Sequence, residues 1–238
     1  MDAFLELFTG LPRQGPGSET STRRALALIP DLPESPQILD VGCGTGRASL
    51  VLAEATGGQV TSVDLHQPFL DELRRTADER NLSVNTRLES MDALSDPDSA
   101  YNLIWSEGAA YLIGLETALA LWKPLLKKGG HIALTEATWL TKTRPVQAMQ
   151  FWADAYPDME DEKANLKTFR RQDFEPVAQF TLPHEDWTAE YYDVLERRMD
   201  ERTDLADTDA VAATRREIDM FRRYGDSYGY VFYIARKL

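Results

Sequence analysis

Asp40-Val41-Gly42-Cys43-Gly44-Thr45-Gly46 is the stretch that decides the fold, because it lies where a strand-like run, Gln37 to Val41, passes into a helix-like one, Arg47 to Ala55. Glycines at this junction let the backbone turn sharply and leave bare peptide groups where side chains would otherwise stand. A ligand is expected on the turn. Its spacing is G-x-G-x-G, shorter than the G-x-G-x-x-G that seats a pyrophosphate on a helix N-terminus. Asp40 stands in front of it, and an acid there suits a cation better than a phosphate.

Working outward, Gln59 to Asp64 reads as a strand, Pro68 to Arg80 as a helix and Val84 to Leu88 as a third strand. Tyr101 to Trp105 follows as a strand, Leu115 to Leu126 as a helix, and His131 to Glu136 as a fifth strand entered through Gly129-Gly130. This rhythm predicts an α/β protein, a doubly wound and mostly parallel sheet with helices on both faces. Upstream, Met1 to Phe8 has helical spacing and Gly10 to Ser18 reads as a loop. Ser18 or Thr20 caps the next helix, with Ala25, Leu26, Leu28 and Ile29 facing inward. Downstream, Thr138 to Tyr156 reads as a loop and a helix, Asp161 to Arg171 as a helix and Pro176 to Leu182 as a strand. A long helical stretch, Asp186 to Tyr224, then places Trp187, Tyr191, Val194, Leu195 and Met199 on one stripe before a last strand, Tyr228 to Ala235.

Composition narrows the partners. The 238 residues carry 26 Lys plus Arg against 39 Asp plus Glu, a net charge of −13. Nucleic acid and anionic membrane would be repelled, since the basic pairs Arg74-Arg75, Lys127-Lys128, Arg170-Arg171 and Arg222-Arg223 are interleaved with acids. Cys43 is the only cysteine, which excludes an internal disulfide and a cysteine-based metal cluster. His66, His131 and His184 lack metal-ligand spacing, so no metal is expected. The acidic start, Met1-Asp2-Ala3-Phe4-Leu5-Glu6, is unlike a signal peptide and no apolar run spans a membrane, so a soluble cytoplasmic protein is expected.

Asp64 ends the second strand, 24 residues after Asp40, where an acid can accept both hydroxyls of a ribose. S-adenosylmethionine carries an ammonium, a sulfonium and an adenosine but no phosphate, so it agrees with both acids. The sequence here resembles the class I S-adenosylmethionine-dependent methyltransferases, whose first motif matches Asp40 to Gly46 at every defining position. The resemblance covers roughly Pro36 to Glu136. It implies that Asp40, Gly42, Gly44 and Gly46 form the cofactor turn, that Asp64 holds the ribose and that Leu65 packs on adenine. It also implies that Met91-Asp92 frames the adenine, and that Ser106 and Glu107 face the methyl group. A Rossmann-like sheet of seven strands follows, the last antiparallel and returning between the fifth and sixth, a part for Tyr228 to Ala235.

Arg13-Gln14-Gly15-Pro16-Gly17-Ser18 with Trp105-Ser106-Glu107-Gly108-Ala109 is similar to a bacterial small-molecule subgroup of the ubiquinone-type superfamily. That likeness implies a Gln14-Gly15 loop closing over the cofactor, a plain connecting loop being the other reading. The expected organisation is one domain, 1–238. It comprises an N-terminal helical lid (1–34), a cofactor-binding core (35–137), an acceptor-side half with helical insertions (138–227) and a closing strand (228–238).

The acceptor is less legible. The chain has Ser106-Glu107-Gly108 where adenine methyltransferases resemble one another in Asn or Asp followed by Pro-Pro and an aromatic. Its only thiol, in the cofactor turn, is misplaced for cytosine carbon methylation. In-line methyl transfer needs alignment and the handling of one proton. Glu107 is the candidate for the proton, with cofactor binding or helix capping as its other readings. Tyr111 orients the acceptor or packs in the core, and His184 is the histidine to test as a base. The insertions are expected to build the acceptor chamber, with Trp139, Phe151, Trp152, Tyr156, Trp187, Tyr191 and Tyr192 lining it or serving as core. A small amine or hydroxyl acceptor ranks first, with sulfur also open. The competing readings are a non-catalytic S-adenosylmethionine sensor or scaffold, a nicotinamide-dependent oxidoreductase, which should carry the longer glycine spacing, and an aminopropyl transferase. The apolar helical stripe suits a lid or a homodimer.

Overall fold

Strand β1 (Gln37–Val41) is the axis of the molecule, buried from Ile38 onward as a strand covered on both faces must be. It pairs in parallel with β2 (Gln59–Asp64) on one side and with β4 (Tyr101–Ser106) on the other. Outside these lie β3 (Val84–Leu88), beside β2, and β5 (Leu126–Trp139), beside β4. The antiparallel β7 (Tyr228–Lys237) inserts between β5 and β6 (Phe174–Thr181), giving the order β3-β2-β1-β4-β5-β7-β6. The chain therefore leaves β1 for one side of the sheet and later returns on its other side. Such a reversal opens a crevice beyond the carboxyl ends of β1 and β4. The computed structural model describes residues 3–238, with the Phe4 side chain left aside; the Met1-Asp2 start of the expected first helix lies outside the described residues.

The helices fall on both faces. They begin with α1 (Ala3–Phe8), α2 (Glu19–Ala27), α3 (Arg47–Thr56) and α4 (Gln67–Arg80). One face of the sheet joins Trp105, Ala133 and Phe232 to Ala25, Leu52, Trp187, Leu195 and Phe221. The other joins Ile104, Ile132 and Leu134 to Leu119 and Trp122 of α5 (Leu115–Trp122) and to Phe169. The later helices are α6 (Val146–Ala155), α7 (Glu162–Arg171), which contributes Phe169, α8 (His184–Trp187), α9 (Asp193–Glu201) and α10 (Asp209–Tyr224). Ser18 caps α2 by accepting from the Ser21 amide at 3.1 Å. Ala25 and Ile29 face inward as expected, but Leu28 is exposed because it is the C-cap residue, where the helical arc has ended.

Two departures from the sequence reading matter for the site. Strand β5 runs for 14 residues, and its far end pairs Trp139 with Tyr228, so β5 and β7 form a long ribbon rising past the crevice. The long helical stretch expected over 186–224 is divided by a π turn, Thr188–Tyr192, a 3₁₀ turn, Thr203–Leu205, and the Thr208 cap of α10. The π turn adds a residue to the helical repeat, so Tyr191 and Tyr192 are both buried beside Trp187, Leu195 and Met199. Among the described residues no helix is long and apolar enough to cross a membrane, and no group of three or more His, Cys, Asp or Glu could hold a metal ion.

Candidate cofactor and acceptor site

A cavity of about 350 Å³ lies in the crevice, walled by the glycine turn, Asp40, Asp64, Leu65, Met91, Glu107, Gly108 and Tyr111, with Arg13, Gln14 and Gly15 across its mouth. The turn needs its glycines for two reasons. Gly42 and Gly44 have φ of +70° and +53°, and a Cβ on Gly42 would stand 2.4 Å from that of Ala109, one on Gly44 2.5 Å from Gln14 Oε1. Gly46 serves a different surface, since its missing side chain lets Leu73 of α4 pack against the start of α3.

Two acids frame the turn. Asp64 Oδ2 accepts from the Gly44 amide and Oδ1 from the His66 amide, both at 2.9 Å, which fixes the carboxylate's orientation. Each oxygen keeps a lone pair for a ligand hydroxyl. Asp40 is buried and accepts from Ser49 Oγ. Burial, with the charges of Glu107 and Asp64 adding to it, pushes its carboxyl up to about 7 in spite of the serine.

The N-terminal segment is folded over this floor. Gln14 Oε1 accepts from the Thr45 amide at 2.9 Å and from its hydroxyl at 3.1 Å, while Nε2 donates to the Leu11 carbonyl. Arg13 reaches Glu107, Nη1 to Oε2 at 3.1 Å, with both side chains about nine-tenths buried. The other oxygen of Glu107 accepts from Thr22 Oγ1 at 2.6 Å and Trp105 Nε1 at 3.0 Å. Arg13 Nη2 and Arg47 Nε are buried on the cavity wall without a partner, an unmet demand for an anion.

The remaining expected site residues divide. Leu65 and Met91 line the cavity, and Leu65 is largely exposed. Asp92 is exposed, outside the wall, and accepts from Ser90 Oγ. Ser106 is buried and donates to the Val41 carbonyl at 2.9 Å, tying β4 to β1. Tyr111 lines the cavity from the 3₁₀ turn Ala110–Leu112. Trp139, Trp152, His184 and Trp187 are not in the wall: they pack with Tyr228 and Phe221, Trp187 stacked on Phe221 at 4.5 Å. Sequence reasoning gave no place to Thr22, Arg47 or Glu89, whose positions at the cavity or on Glu107 depend on contacts between distant segments.

A family model described as a methyltransferase domain matches residues 38–130. Aklanonic acid methyltransferase DauC from Streptomyces sp. (strain C5) is 30% identical over 154 residues, covering 63% of this chain and 70% of DauC. The S-adenosyl-L-methionine-dependent Diels-Alderase iccD of Talaromyces variabilis is 33% identical over 114 residues, 44% of this chain but only 37% of iccD. Among solved structures, a SAM-dependent methyltransferase from Geobacter sulfurreducens in complex with S-adenosyl-L-homocysteine has the same fold, with a TM-score of 0.80 at 18% identity over 100% of this chain and 98% of that one. This chain belongs to the S-adenosylmethionine-dependent methyltransferases, and S-adenosylmethionine is its cofactor.

Proposed function

We propose that this methyltransferase of the small-molecule type acts on a small amine or hydroxyl compound, with the cofactor seated on the Gly42-Gly44 turn. The observation that carries the seating is the Asp64 carboxylate, locked by the Gly44 and His66 amides at the edge of a cavity with unpartnered guanidinium nitrogens. In this reading Asp64 accepts the ribose hydroxyls, Leu65 and Met91 flank the adenine, and Asp40 faces the cofactor's ammonium. Arg13 Nη2 and Arg47 Nε answer its carboxylate. Asp92 acts from outside the wall, by shaping the turn with Ser90, and Ser106 by holding β4 against β1. Glu107, with both oxygens occupied, anchors the N-terminal segment above the cofactor.

Calorimetric titration with S-adenosylhomocysteine, run beside a nicotinamide dinucleotide, tests the seating. Binding of the homocysteine compound alone is expected, and binding of the dinucleotide alone would overturn it. Asp64→Ala should weaken that binding by about 1.5–3 kcal/mol, the worth of hydrogen bonds to a charged group. Unchanged affinity would remove the ribose from Asp64.

Asp40 adds a pH dependence. The ligand's ammonium favours the ionised carboxylate, whereas below about 7 the empty site holds it protonated. Affinity for S-adenosylhomocysteine should therefore rise as pH rises through 7, with proton release visible as a buffer-dependent binding enthalpy. A flat profile in the parent chain would separate Asp40 from the ammonium.

A further inference from the structure

Glu136, near the carboxyl end of β5, is 1% exposed, and neither carboxylate oxygen meets a donor at hydrogen-bonding geometry. A charge so placed is costly unless a partner arrives. Burial pushes its carboxyl up to about 8, although the nearby Tyr156 phenol favours the charged form.

Tyr156 stands beside it, and two further tyrosines lie near. Tyr111 lines the cofactor cavity, and its ring packs on that of Tyr156 with centroids 5.8 Å apart. Tyr230 closes on Gly108, another wall residue, where a Cβ would stand 3.4 Å from its ring. Burial pushes up the titration of Tyr111, Tyr156 and Tyr230; the charge of Glu136 adds to it at Tyr156, and at Tyr111 and Tyr230 it adds behind that of Glu217. The cavity itself sets four acids, Asp40, Asp64, Glu89 and Glu107, against two bases, Arg13 and Arg47. A cofactor with one net positive charge leaves that balance negative, which favours a cationic second ligand.

We infer that Glu136, with Tyr156 and the Tyr111 packed on it, forms the subsite for the acceptor's nitrogen, and that the acceptor is a small protonated amine. The inference rests on the methyltransferase reading of the adjoining cavity. Aromatic faces attract a cation and the carboxylate neutralises it. Tyr111, carried on a single 3₁₀ turn, is the side chain that moves to admit the amine. An ammonium has no lone pair with which to attack, so Glu136 takes one N–H proton and becomes a neutral acid. The cofactor supplies a methyl group on a sulfonium: the new C–N bond forms as the C–S bond breaks, its electron pair remaining on sulfur. The methylated nitrogen carries the positive charge away, and Glu136 passes its proton to water as product leaves.

The test uses the full chain saturated with S-adenosylhomocysteine and two probes of matched size, tetramethylammonium and tert-butanol, each titrated calorimetrically. Tetramethylammonium should bind at least about tenfold more tightly than the alcohol, the worth of a desolvated cation–π site. Glu136→Gln should erase that preference while leaving the affinity for S-adenosylhomocysteine within about twofold, as for an independent site. Tyr156→Leu, which keeps the carboxylate and removes one face, should lower the ammonium affinity several-fold. Equal binding of the two probes, no binding of the ammonium, or a preference that survives both substitutions would overturn the amine subsite. Failure of S-adenosylhomocysteine to bind the parent chain would instead overturn the cofactor seating.

Discussion

Gly44→Val is expected to lose S-adenosylhomocysteine binding by on the order of 100-fold or more, with a far-ultraviolet circular dichroism spectrum close to that of the parent. The residue has φ +53°, where a β-branched side chain is strained by about 1–3 kcal/mol. Its Cβ would stand 2.5 Å from Gln14 Oε1, so the Gln14 side chain must withdraw from the Thr45 amide that it caps. The Gly44 amide also orients Asp64, and a displaced backbone would misdirect the ribose acceptor. Three effects thus fall on one ligand surface, while the strands on either side keep their pairing. Titration calorimetry is the measurement. Retained binding would show that the ligand lies elsewhere.

Glu107→Ala should be the most destabilising single change at the site, by about 3–5 kcal/mol, because it leaves the buried Arg13 guanidinium unpaired. It also strips the Trp105 indole and the Thr22 hydroxyl of their acceptor. Glu107→Gln keeps an acceptor oxygen for those two and loses only the charge, so it should cost less. The pair of variants separates two roles. An anchoring residue predicts that thermal stability and amide-exchange protection of the segment 13–22 fall in Ala and are largely kept in Gln. A proton-accepting residue predicts that both variants lose turnover while the segment stays protected.

Strands β1, β2 and β3 were legible to the residue: β1 is a short buried apolar run, and the less buried β2 and β3 carry strand-forming Val and Thr between turn signals. Strand β5 was not, because Lys127-Lys128-Gly129-Gly130 reads as a turn although Leu126 already pairs with Tyr101. Pro176 hid the start of β6, where an edge position and a local register shift accommodate a residue without an amide proton. At the site, the glycine turn and Asp64 were legible because their chemistry is local in sequence. The partners of Glu107 were not: Arg13 lies 94 positions away and Thr22 85, and spacing carries no trace of such contacts. The aromatic residues show the same limit, for nothing in the local sequence separates Trp187 from Tyr111, and only packing puts one in the core and the other at the cavity.

The segment over the cavity is held from two directions. Gln14 grips the cofactor turn, while a few residues on the Gly17 amide donates to the Asp186 carbonyl at 3.1 Å and Ser21 Oγ donates to the Asp186 carboxylate. Asp186 belongs to α8, 165 positions from Ser21. Moving Gln14 off the cofactor turn would therefore pull on α8 through Gly17 and Ser21.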